Sequence, residues 1–108
     1  MTAAPLLAEA GLEEIFPGAA HDPAIPTLAE VVGHDFGAEI TSVEGIGVYL
    51  AALHRAAPER TLLVEYARSW EGRPLHLLVV GSAERIADLD RVRAGLAGLA
   101  DPRTPPPA

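Results

Sequence analysis

Thr61-Leu62-Leu63-Val64-Glu65-Tyr66-Ala67-Arg68-Ser69-Trp70, Glu71-Gly72-Arg73-Pro74 and Leu75-His76-Leu77-Leu78-Val79-Val80 run on from one another, and their reading decides the fold. The first part alternates: Leu62, Val64, Tyr66 and Arg68 fall on one side of an extended chain, with Leu63, Glu65, Ala67 and Ser69 on the other. Gly72 and Pro74 mark a turn over 71–74. The last part is apolar on both faces apart from His76, as in a strand that lies inside a larger sheet. An antiparallel β-hairpin is therefore expected, with strands over about 61–70 and 75–80.

Helical patterns flank it. Upstream, Val43, Ile46, Leu50 and Leu53 recur at helical spacing and predict one buried stripe on a helix over about 42–56. Thr41, three residues before Glu44, has the spacing of a capping box, and Pro58 ends the segment. Gly45 and Gly47 each weaken such a helix by about 1 kcal/mol relative to Ala, so packing has to hold it. Downstream, Gly81 stops the strand and Ser82 caps a helix over about 83–100, with Ile86, Leu89, Val92, Leu96 and Leu99 on one side. The fold class is α+β: a hairpin packed with helices.

The remainder is less regular. Residues 1–24 form a flexible lead rich in Pro and Ala, with a short helix near Leu6 to Ile15. Pro26-Thr27 starts a helical turn through Leu28, Val31 and Val32 that ends at Gly33. The folded domain spans 25–103, and 104–108, Thr-Pro-Pro-Pro-Ala, is a disordered tail of polyproline character.

Composition excludes several classes. With 108 residues the chain has room for one domain at most, and its 49% hydrophobic content is enough for a core. The formal charge of −7 and the lack of any basic cluster argue against nucleic acid and anionic lipid as partners. All eight basic residues are Arg, which a GC-rich coding bias accounts for. Without Cys there are no disulfides, thiolate nucleophiles or cysteine zinc knuckles. No basic n-region precedes an apolar stretch at the N-terminus and no apolar run approaches about 20 residues, so neither a secretory signal nor a membrane helix is expected; the location expected is cytoplasmic.

Helix, then Tyr66-Ala67-Arg68-Ser69-Trp70-Glu71-Gly72-Arg73-Pro74, then an apolar strand resembles the opening of the catalytic domain of the zinc carboxypeptidases, the carboxypeptidase A-like metallopeptidases. Ile25-Pro26-Thr27 with Val32-Gly33 before the helix, and Leu89-Asp90 leading to Asp101-Pro102-Arg103 after the hairpin, are similar to bacterial members. The resemblance covers about residues 25–103. It implies a mixed eight-stranded sheet with helices on both faces, in which this hairpin supplies the first two strands. It also implies a hydrolase that cleaves peptide or amide bonds near a C-terminus with zinc-bound water.

The family's chemistry lies later in the chain, beginning with a His-x-x-Glu pair. Three residues after His21, His34, His54 and His76 stand Ala24, Gly37, Ala57 and Val79, so the pair is missing here. No catalytic, cofactor-binding or metal-binding residue is transferred. The expectation is a partial domain, truncated before the zinc ligands and non-catalytic by itself, with zinc belonging to the complete family domain.

Other candidates have competing readings. Glu71 and Arg73 suit a carboxylate clamp, yet they also shape and solvate a turn. Tyr66 and Trp70 suit a ligand platform, but aromatics beside a hairpin more often cover the edge of the core. His34 beside Asp35, with Glu30 or Glu39, gives a metal site only if something fixes its geometry. His54 and His76 are expected to be packing or surface residues, and Ser69 and Ser82 lie in no nucleophile motif. The alternative to a peptidase fragment is a small non-enzymatic module that forms a homodimer or binds a protein partner through the hairpin edge.

Overall fold

The structure is a computed structural model that describes residues 16–103. The expected helix near Leu6 to Ile15 and the expected tail at 104–108 lie outside these residues. The fold class is α+β, with α1 (Leu28–Val32), α2 (Val43–Ala56), β1 (Thr61–Arg68), β2 (Pro74–Val80), α3 (Ala83–Ala87) and α4 (Leu89–Ala100). Two units share them: Met1–Ala56 holds α1 and α2, and Ala57–Ala108 holds the hairpin with α3 and α4.

In the first unit the helix starts are set by hydroxyls. At α1 the expected turn is present. The Thr27 hydroxyl accepts from the Glu30 N–H at 3.3 Å, the Glu30 carboxylate accepts from the Thr27 N–H at 2.9 Å, and Gly33 closes the helix at φ 89°. At α2 the sequence reading needs correction. Ser42, not Thr41, caps the helix, its hydroxyl accepting from the Gly45 N–H at 3.0 Å. Thr41 instead turns its hydroxyl to His34 Nε2, 3.2 Å away. Gly45 lets the cap come close, since a Cβ there would lie 3.0 Å from Ser42 Oγ and 3.2 Å from Thr41 Cγ2. The Tyr49 hydroxyl reaches back 3.2 Å to the Pro26 carbonyl and ties α2 to the segment before α1.

The second unit contains the expected antiparallel hairpin, with Leu62 opposite Val79, Leu63 opposite Leu78 and Glu65 opposite His76. β1 begins at Thr61 and β2 ends at Val80 as expected, but Ser69 and Trp70 belong to the turn and Pro74 opens β2. Ser69 organises that turn. Its N–H donates to the Arg73 carbonyl at 2.8 Å, its carbonyl accepts from the Gly72 N–H, and its hydroxyl accepts from the Arg73 N–H.

The simple alternation along β1 fails at Tyr66. The register shifts between Glu65 and Ala67, so β1 spends one extra residue against β2. Such a β-bulge reverses the alternation beyond it. Glu65 and Arg68, three apart and on opposite sides of a regular strand, thereby come to one side and form an ion pair of 2.8 Å.

The expected continuous helix over 83–100 is instead two helices. Asp88 adopts φ −127°, ψ 47°, outside helical geometry, and separates α3 from α4. Ser82 caps α3 as expected, accepting from the Arg85 N–H at 3.4 Å. Arg103 closes the far end on Asp101, with a guanidinium contact of 2.9 Å.

Burial differs most from expectation. Among the described residues, Ala52 and Thr61 alone are buried. The stripe of α2 is not covered as expected: Val43 and Ile46 are exposed, and Leu50 and Leu53 half-buried. Apolar periodicity identifies a face that seeks cover, but it does not supply the covering element.

Candidate functional site

Each candidate from the sequence has a definite environment. His34 sits between α1 and α2 with both ring nitrogens engaged, Nδ1 at 3.0 Å from the Asp35 carbonyl and Nε2 at 3.2 Å from the Thr41 hydroxyl. A carbonyl only accepts, so Nδ1 carries the proton and Nε2 accepts from Thr41 in the neutral ring. This arrangement orients a loop. Among the described residues no group of three His, Asp or Glu side chains is arranged to hold a metal ion. A recess of about 370 Å³ lies beside His34, lined by Val32, Ile40, Thr41 and Val48 among others.

At the hairpin tip Glu71 and Arg73 pair with each other across 3.2 Å and both are largely exposed. Arg68 completes the tip, donating to the Gly72 carbonyl at 3.0 Å while paired with Glu65. The guanidinium groups are thus occupied by their own hairpin, as the turn-shaping reading expects.

The aromatic pair departs from expectation. Trp70 is exposed over its whole surface, at 103% of reference, and Tyr66 at 62%, so neither covers a core edge. Two local features account for this. Tyr66 is the extra residue of the bulge, and Trp70 lies in the turn beyond the last paired residue of β1. His54 and His76 are half-buried, and Ser69 and Ser82 use their hydroxyls on backbone amides rather than on an imidazole.

One pKa perturbation belongs to a residue that sequence reasoning did not single out. Partial burial, and then the neighbouring Glu30 carboxylate, push the Tyr49 hydroxyl above its ordinary value. Asp101 is held below the usual carboxylate range by its hydrogen bonds from Arg103. Both serve local structure.

The most distinctive surface is the hairpin itself. One face consists of Leu62, Val64, Leu75, Leu77 and Val79, and Leu62, Leu75 and Leu77 are exposed on it. The other carries Leu63, Leu78 and Val80 beside Glu65 and His76, with Val80 exposed at 67%. The hydrogen bond from the Gly81 N–H to the Arg60 carbonyl fixes which backbone groups point where. Bonded pairs alternate along an antiparallel ladder. Leu75, Leu77 and Val79 therefore turn their N–H and C=O towards β1, while His76, Leu78 and Val80 turn theirs to the outer edge of β2.

Compared with family models, curated proteins and solved structures, the chain finds no match in any of the three. Among the described residues no helix is long and apolar enough to cross a membrane.

Proposed function

We propose that this chain is the N-terminal portion of a zinc carboxypeptidase-like protein, a scaffold segment that does not hydrolyse peptides by itself. The observation carrying this reading is a hairpin apolar on both faces and substantially exposed on both. Two strands alone are marginal in water, and strands apolar on both sides belong inside a wider, covered sheet. The Trp70-Glu71-Gly72-Arg73-Pro74 turn between such strands supports the same family. The absence of His-x-x-Glu from the sequence supports the lack of activity by this chain alone.

Two measurements test it. In the DNA that follows the codon for Arg103, one reading frame is expected to encode His-x-x-Glu; a long downstream sequence without it counts against the family. Purified chain is expected to retain no stoichiometric zinc through dialysis and to leave peptides with free C-termini intact. Tight zinc binding with release of C-terminal residues overturns the scaffold reading.

A second reading is a non-enzymatic interaction module working through the hairpin edge. It is favoured by the uncharged outer edge of β2, where no Asp, Glu or Arg interrupts residues 74–80.

A further inference from the structure

The two edges of the hairpin are not equivalent. β1 carries Glu65 and Arg68, and its bulge at Tyr66 breaks the regular spacing that an incoming strand must match. Charges and bulges are the devices that blunt an edge against pairing. β2 has neither. Its sole Pro, Pro74, is the first residue and lies at an outward position, where the missing N–H costs no bond to β1. From His76 to Val80 the outer edge presents alternate N–H and C=O groups in unbroken register.

We infer that a second copy of this chain pairs along the outer edge of β2, antiparallel about Leu78, to give a four-stranded sheet with the order β1-β2-β2-β1. The choice of a second copy rests on self-complementarity. With Leu78 opposite Leu78 of the second copy, His76 faces Val80 and Val80 faces His76. Every outward N–H and C=O of the three residues then finds a partner. An alternative register about His76 places Pro74 opposite Leu78 and leaves a carbonyl without a donor. Charge points the same way: a protein of net charge −7 resists self-association, but β2 contains no formal charge, so two copies meet there without like-charge contact. The inference deepens the interaction-module reading and is independent of the peptidase one.

The test uses two double variants of the full chain that differ only in the sign of one charge. In H76K/V80K each contact across the seam sets Lys against Lys; in H76K/V80E each sets Lys against Glu, and residue 76 is Lys opposite Glu65 in both, so the hairpin's own pairing there is the same. Their masses are measured by sedimentation over a concentration series, with far-UV circular dichroism to check that each has folded. The wild-type chain is expected to be dimeric, H76K/V80E to remain so, and the dimer of H76K/V80K to be roughly tenfold or more weaker than that of H76K/V80E. A second readout needs no substitution: amide exchange at His76, Leu78 and Val80 is expected to slow as protein concentration rises. A monomeric wild-type chain overturns the pairing and leaves, of the module reading, only a module that binds a different protein. A dimer in which the two double variants are equal, or in which these three amides exchange at a rate independent of concentration, overturns pairing along β2 and leaves a module that associates elsewhere.

Discussion

Tyr49 joins three effects at one side chain: a hydrogen bond to the Pro26 carbonyl, partial burial, and repulsion from Glu30 that disfavours the phenolate. Because its pKa is raised on folding, the folded state binds the proton more tightly than the unfolded one. The associated stability is complete below the ordinary tyrosine pKa and falls as pH rises through the raised value. Tyr49→Phe should cost about 1 kcal/mol at neutral pH and remove this part of the alkaline loss, which urea unfolding at neutral and alkaline pH will read. An unchanged alkaline decline would assign it to other groups. The glycines separate in the same way. A Cβ added at Gly95 would meet no neighbouring atom within 4 Å, so Gly95→Ala should stabilise α4 by about 1 kcal/mol. At Gly45 the methyl would press on the Ser42 cap, and Gly45→Ala should give no such gain. Thermal unfolding that rises equally for both would refute the close contact. Neither glycine can be ranked from sequence, because helix propensity is the same for both and the neighbouring atoms decide.

At the scale of elements the hairpin was the most legible part. Alternation, turn residues and a purely apolar second strand located it to within two residues at each end. What composition could not express was the extra residue at Tyr66, since a bulge leaves the local pattern intact and appears only in the pairing. The cap of α2 was missed by one position because Thr41 and Ser42 are adjacent hydroxyls, and Thr41 is drawn to His34. Ser42→Ala should therefore destabilise α2 by about 1 kcal/mol, more than Thr41→Ala affects the helix, as judged by far-UV circular dichroism during unfolding. Equal helix losses would contradict the assignment. The split at Asp88 was equally hidden, because the apolar spacing from Ile86 through Leu89 and Val92 runs across it without interruption.

The division into two units and the scarcity of buried side chains among the described residues set the behaviour in solution. Denaturant sensitivity scales with the surface newly exposed on unfolding, so dilute protein should unfold over a wide range of urea, with a slope at or below the low end of the usual range of about 1–3 kcal/mol/M. A steep single transition under those conditions would mean that far more surface is covered than Ala52 and Thr61 suggest. The sequence indicated which faces are apolar; it carried no information about what lies against them, because that depends on elements distant in the chain or on another chain. Trp70, the one tryptophan, adds a practical corollary. An indole already bathed in water emits alike whether the polypeptide is ordered or not, so its fluorescence is a poor gauge of unfolding here. The same indole is a sensitive beacon for anything that settles over the hairpin tip, and a blue shift on mixing would announce that event directly.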